Sequence, residues 1–345
     1  VPVIHGRRLW TRLFVGLIAG VAVSRAAWAV ERPDDTGPSA VVVTVGTVPI
    51  FRAELDAVLQ RAGNGGPDAS TLNRPAQLQA AALEQLIDQR LLRAEIEREG
   101  IAVGAAEIDA TVGKLRAQMA ARGVEWSAFL AKTGRDEAFL REQIRLELGL
   151  DKLIRPRLGA EAVEATFQKH RREVDGTRLR VSHVVLRPDI GRGDEAVQEC
   201  LRRAEQIRGA IVRGELSFAD AARRHSVGPS RMQGGDLGWI SRKSPYIDEF
   251  SRVAYALAKG DVSRPFASPY GVHLVVVADT EPGRLGLEAV RPQIESMLAA
   301  DVLRDKLARA RAATTIEFAP GVPHFDPATP GEPGKTRRVV VEPAG

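Results

Sequence analysis

At 345 residues the chain exceeds one average domain, and its length suggests about two. A hydrophobic content of 44% with 27% charged residues places it among ordinary soluble globular proteins and excludes a low-complexity or disordered chain. The formal charge of +5 falls to +1 without residues 1–29, which hold Arg7, Arg8, Arg12 and Arg25 and no acid. No basic cluster survives that subtraction, so nothing marks a nucleic-acid partner.

Arg7, Arg8 and Arg12 precede the apolar run Leu13 to Val23, and Ala27-Trp28-Ala29 offers small residues at a cleavage site. This is the pattern of a secretory signal peptide at 1–29. The apolar run is short of the roughly 20 residues that a spanning helix needs. Export with no stable membrane insertion is therefore expected, and the Arg7-Arg8 pair does not separate the Sec from the Tat route. The lone cysteine, Cys200, leaves no possibility of an internal disulfide and no lipid-accepting residue after the cleavage site. Residues 30–39 read as a polar linker.

Val41–Val45 reads as a strand, with Gly46-Thr47 as its turn. Helices are expected at 51–62, 105–121, 136–154 and 160–173, with Pro156 separating the last two. Another carries Leu83, Leu86, Ile87 and Leu91 on one face and ends at Gly100. From residue 178 the texture changes. Leu179–Leu186 is strand-like, Asp194 caps a helix to about 213, and Ser217 to Asp220 opens a short helix. Gly228 to Gly238 is Gly-rich loop, Phe250–Leu257 is helical, and Val272–Val277 is a buried strand. A long helix from Leu287 to Arg311 needs a partner for its apolar side, and the N-terminal helices supply one. The proline-dense residues 319–345 are expected to be disordered.

His183 and His273 stand on the first and last strands of this compact unit. Strand period puts His183 on the face of Val181 and Val185, and His273 on the face of Val275 and Val277. No third ligand with metal spacing accompanies them, His225 being the only other histidine nearby, so no metal is expected.

Five blocks then occur in order: Val181-Ser182-His183-Val184-Val185-Leu186; His225-Ser226-Val227-Gly228-Pro229-Ser230 running on to Gly234-Gly235-Asp236-Leu237-Gly238-Trp239; Phe250 to Leu257; Gly260-Asp261-Val262-Ser263-Arg264-Pro265; and Tyr270-Gly271-Val272-His273. Together they resemble the parvulin (rotamase) signature of peptidyl-prolyl isomerases. The flanking helices are similar to those of the SurA/PrsA class of exported chaperone-isomerases.

The resemblance implies an α+β protein. A helical chaperone-like domain at 40–177 would be completed by a C-terminal helix within 283–318, with a parvulin-like domain at 178–280 inserted between them. It implies cis–trans isomerisation of X–Pro bonds in unfolded exported polypeptides, in the periplasm and without a cofactor; it sets no oligomeric state. Rotation about such a bond breaks amide resonance, a barrier of about 18–20 kcal/mol. A 10⁴-fold acceleration asks for about 5.4 kcal/mol of preference for the twisted amide. In this family the proline ring rests on residues matching Leu237 and Phe250, while residues matching His183 and His273 orient each other and the groups around the amide.

The chain departs from the family at Gly228, where cysteine or aspartate is usual, leaving Ser226 or Ser230 to supply a polar contact there. That departure sustains a rival reading, a holdase chaperone whose parvulin domain binds without catalysing. Arg187 and Arg192 are read as solvated surface arginines. Mass spectrometry of the exported protein is expected to find an N-terminus at or close to Val30; a full-length membrane-retained form would contradict the signal-peptide reading.

Overall fold

The structure is a computed structural model that describes residues 37–63, 75–133, 136–189, 193–244, 246–326 and 339–340. The expected signal peptide and most of the linker lie outside the described residues. So does Arg192.

In chain order, strands β1 (Val41–Val45) and β2 (Val48–Phe51) precede helices α1 (Arg52–Gly63), α2 (Pro75–Arg98), α3 (Ala105–Ala120), α4 (Trp126–Thr133) and α5 (Glu137–Ile154). A 3-10 turn (Arg155–Arg157), α6 (Ala160–Val174), β3 (Arg178–Leu186), α7 (Gly193–Val212), α8 (Phe218–His225) and a second 3-10 turn (Pro229–Gln233) follow. Then come β4 (Asp236–Ser241), α9 (Asp248–Ala256), β5 (Phe266–Ser268), β6 (Gly271–Glu281) and α10 (Leu287–Ala313). Short strands β7 (Ile316–Phe318), β8 (His324–Phe325) and β9 (Val339–Val340) close the described chain. The fold is α+β. Its described residues form two compact units, one of 37–162 with 295–326 and 339–340, the other of 163–294.

In the first unit a three-stranded antiparallel sheet, ordered β2-β1-β7, packs on α1 and α2. Leu83, Leu86, Ile87 and Leu91, the periodic face read from the sequence, are all buried in that core. β7 pairs with β1 through Val43↔Phe318, Thr44↔Glu317 and Val45↔Ile316, so residues far apart in sequence share one sheet. A second core joins α2 to α5 and α10 through Leu92, Ile96, Leu150, Ile154, Ala299 and Leu303. Asp136 caps α5 by accepting a 2.7 Å bond from Phe139 N. The helix stops at Ile154, because Pro156 lacks the N–H that would continue it and the chain tightens into a 3-10 turn. Helix α4 has no counterpart in the sequence reading. It seats Trp126, Phe129 and Leu130 against α3 and α5, and Trp126 Nε1 donates to Glu137 at 3.1 Å.

Charge also fastens α10 to α2. Arg311 reaches Glu84 at 2.8 Å and Asp88 at 2.6 Å, while Lys306, only 7% exposed, bonds Glu99 and lies 3.6 Å from Glu95. Hydrogen bonds and cations beside them hold the Glu95 and Glu99 carboxyls below the usual range. Two expectations need correction here. The segment after residue 318 is not wholly disordered: Val322 and His324 are buried, and His324 stacks on Phe318 with centroids 3.8 Å apart. Burial of Val322 and stacking of His324 on Phe318 override the prolines around them, and β8 pairs with β9. Gly37 and Pro38, assigned to the linker, anchor the chain through their carbonyls to Ala40 N and Ala53 N, both at 3.0 Å.

The second unit is wider than the expected 178–280, since most of α6 and the start of α10 cluster with it. Its sheet is antiparallel, ordered β4-β3-β6-β5. One face carries Leu179, Val181, Val275 and Val277 against α9; the other carries Val184, Leu186, Val272 and Leu274 against α7 and α8. Ser217 caps α8 as read, accepting from Asp220 N at 3.0 Å. The supposed loop 228–238 hides the start of β4. Gly235 there has φ +83°, and a Cβ would collide with the His183 carbonyl, so only glycine permits so close an approach.

A buried clasp closes the unit. Asp175 accepts from Thr177 N at 2.9 Å and from Thr177 Oγ1 at 2.6 Å, and Thr177 Oγ1 accepts from Gly283 N at 2.9 Å. Leu285 N donates to Asp175 O at 2.9 Å, and Tyr255 Oη to Thr177 O at 2.6 Å.

Replacing Lys306 with alanine removes the buried cation that links α10 to Glu95 and Glu99, while Arg98 still bonds Glu95 and Glu99 is exposed. A loss of about 1–2 kcal/mol is expected in urea denaturation. Superimposable wild-type and Lys306→Ala curves would show that this pair does not hold the helix.

Candidate active site

The site is assembled by strand register. β3 and β6 pair so that His183 lies opposite Val275 and Val185 opposite His273, a diagonal relation on one face of the sheet. The imidazole centroids are 6.0 Å apart, His273 is 5% exposed, and His183 is half-buried. Phe250, from α9, sets its ring edge against both, at 6.0 Å from His183 and 6.1 Å from His273. Phe266 stacks on His273 at 5.3 Å, and Tyr246 lies 5.2 Å from Phe250. Leu237 and Ile247 pack on the same cluster. The structure thus brings together His183, His273, Leu237 and Phe250.

Ser268 Oγ accepts from Tyr270 N at 3.0 Å and lies 2.7 Å from His273 Nε2, a contact across which either the hydroxyl or the imidazole can donate. His273 Nδ1 is buried and has no partner among the described residues, and the same holds for His183 Nε2. Burial pushes both imidazoles below their usual range, and His183 adds to the effect on His273, lowered to about 4. At neutral pH both rings are uncharged.

Ser226 and Gly228 play different parts from a polar substrate contact. Ser226 is 2% exposed, and its Oγ accepts from Val185 N and Gly228 N, each at 3.2 Å. It pins the loop to β3. Gly228 has an ordinary φ of −73°, so its backbone does not require glycine. A Cβ there would stand 3.1 Å from His183 Nε2, 2.9 Å from Val185 Cγ1 and 3.4 Å from Ser226 Oγ. A side chain at 228 would therefore face the unpartnered histidine nitrogen once Val185 gave way. Ser230 Oγ is buried without a partner among the described residues, and Arg187 is exposed. Sequence reasoning missed Ser268, Phe266 and Tyr246, because a serine before a turn and isolated aromatics carry no periodic signal. Among the described residues no group of three or more His, Cys, Asp or Glu is arranged to hold a metal, and no helix is long and apolar enough to cross a membrane.

Comparison with known proteins covers both units. Residues 183–279 match the model of the PPIC-type peptidyl-prolyl isomerase domain, and residues 5–154 match that of the SurA-like N-terminal domain. The chain is 28% identical over 247 residues to the chaperone SurA of Alkalilimnicola ehrlichii, covering 69% of this chain and 57% of that protein. It is 25% identical over 240 residues to the foldase protein PrsA of Geobacillus kaustophilus, covering 69% of this chain and 73% of that one. Among solved structures, PrsA of Bacillus anthracis aligns over 67% of this chain and 96% of its own, at 21% identity and a TM-score of 0.38. The chain spans 57–64% of the length of the first SurA relatives it matches.

The depressed pKa of His273 has a consequence for stability. Between its usual 6.5 and about 4, the unfolded chain binds a proton that the folded chain refuses. Stability is therefore complete above pH 6.5 and falls as pH drops toward 4, by about 3 kcal/mol from this group. Urea denaturation across that range should show the slope in the wild type and lose it in His273→Phe. An unchanged slope in the variant would place its origin elsewhere.

Proposed function

We propose that this chain, which carries a PPIC-type peptidyl-prolyl isomerase domain joined to a SurA-like N-terminal domain, isomerises X–Pro bonds in unfolded exported polypeptides outside the cytoplasm. The helical unit would cradle the polypeptide, and the second unit would act on its prolines. The observation that supports this best is the pair of neutral imidazoles beneath the apolar cluster of Leu237, Phe250 and Phe266. No covalent chemistry is required. The proline ring leaves water for the aromatic surface, where burying a side chain of that size contributes about 1.5–3 kcal/mol. In the planar amide the nitrogen lone pair is delocalised into the carbonyl. In the twisted amide it is localised, and the carbonyl becomes more ketone-like. A dry, apolar surround favours that less dipolar state, and a preoriented imidazole or hydroxyl dipole adds a hydrogen bond that strengthens during rotation. Ring burial holds planar and twisted forms alike, so these last two sources have to supply the about 5.4 kcal/mol of a 10⁴-fold acceleration.

A second reading is favoured by one specific residue. Gly228 leaves His183 Nε2 facing no side chain where the family places a thiol or carboxylate. In that reading the domain binds proline segments without turning them over, and the protein acts as a holdase.

One experiment separates the two. Gly228→Cys and Gly228→Asp, each also combined with Val185→Ala to make room for the Cβ, are assayed on short X–Pro peptides. A rise of about tenfold or more in kcat/KM is expected, which needs only ~1.4 kcal/mol of selective stabilisation. Circular-dichroism melts identify any variant that misfolds. If folded variants do not exceed the wild type, the missing group does not set the rate. If the wild type and all variants are inactive, the holdase reading replaces the isomerase one.

A further inference from the structure

The outer side of α7 and α8 carries an unbalanced set of cations. Three arginines of this region are neutralised locally: Arg208 by Glu205 at 3.0 Å, Arg213 by Glu215 at 2.7 Å, and Arg223 by Asp220 at 2.9 Å. Arg203 and Arg224 differ. Both are exposed, and neither has an ion-pair partner among the described residues. Asp220, which feels the field of Arg224, is already bonded by Ser217 and Arg223. Both guanidiniums act on the half-buried His225, whose imidazole is pushed down by burial and then by Arg203 and Arg224. A third cation, Arg231, is fastened to the end of α8 by its Nε bond to Arg223 O at 2.6 Å. The C-terminus of a helix carries only about half a negative charge. That falls short of balancing Arg224 and Arg231 at the end of α8 and Arg203 on α7, whose Leu201 and Ala204 pack with Ala221 and Ala222 of α8.

We propose that Arg203, Arg224 and Arg231, with His225 beside them, form a receptor for carboxylate side chains of a client polypeptide, flanking the proline presented at His183 and His273. The proposal rests on the isomerase reading for what occupies the adjacent site. Its position supports a peptide. Arg231 belongs to the 3-10 turn that Gly228 caps, so it lies within roughly 10 Å of that residue along the chain. That reach corresponds to about three residues of an extended client at ~3.3 Å each. The same loop exposes Val227 and Met232, at 53% and 73%, giving the client's apolar residues a place beside its acidic ones. Three guanidiniums so placed suit a short acidic segment better than the broad face of a bilayer.

The test uses the full chain and two fluorescein-labelled peptides, identical except that the two residues on each side of a central Ala-Pro are Glu in one and Gln in the other. At about 50 mM salt the Glu peptide is expected to bind about tenfold more tightly, an advantage that shrinks at about 0.5 M, where charges are screened. Arg203→Gln/Arg224→Gln should lose that advantage, bind the Gln peptide as the wild type does, and keep the wild-type melt. Nuclear magnetic resonance should find the His225 titration moved upward when the Glu peptide is bound to the wild type. Equal binding of the two peptides, or no binding of either, overturns the receptor. So does arginine-dependent binding to phosphatidylglycerol vesicles without any Glu preference, which would make the patch a membrane surface. Turnover of the Gln peptide reports on the isomerase reading separately. A Glu preference without turnover leaves the receptor standing and removes the isomerase; turnover without the preference does the reverse.

Discussion

Everything proposed for the second unit depends on the antiparallel pairing of β3 with β6. A shift of one residue in either strand would turn its histidine from the α9 face to the face that packs on α7 and α8. The register is defended on both sides. Val181, Val275 and Val277 are fully buried with Phe250, and Val184, Leu186, Val272 and Leu274 fill the opposite core. Slippage would exchange imidazoles for valines in both layers at once. The core therefore fixes the site geometry, with no covalent staple or ion pair between the histidines.

Burial also decides what those histidines can do. An imidazole that stays neutral to about pH 4 is poorly suited to donate a full proton at physiological pH, but it presents one N–H and one lone pair in fixed directions. Such a dipole helps a reaction whose transition state redistributes charge without forming an ion. The Ser268 hydroxyl matters for the same reason, because its contact with Nε2 holds the His273 ring in one orientation. The aromatic rings of Phe250 and Phe266 do two things together: they exclude water from the imidazoles and offer the surface a proline ring would occupy.

Much of this was legible in the sequence, and the gaps have physical causes. Strand alternation placed His183 with Val181, and His273 with Val275, on one face, as the register requires. Helical period found the buried stripe of α2. The reading failed where glycine serves close approach instead of a turn, as at Gly235, so β4 was taken for loop. It failed again at α4, too short to display a period, and at residues 319–326, where proline density outweighed the buried Val322 and His324. Ser226 looked like a substrate contact because its neighbours belong to the site. Only the geometry reveals that its oxygen is committed to two backbone amides.

The clasp at Asp175 and Thr177 has a consequence for how such a chain can be rearranged. Because Leu285 N bonds Asp175 O and Gly283 N bonds Thr177 Oγ1, the two ends of the intervening segment meet. A segment whose ends touch can be removed, exchanged or duplicated without asking the flanking helices to move, and one or two linking residues would bridge the cut. Closing a chain across so short a gap carries little entropic cost whatever the length of the excised loop. The segment between Thr177 and Gly283 is in this sense a cassette with a fixed pair of attachment points, free to vary its sheet and its loops between them.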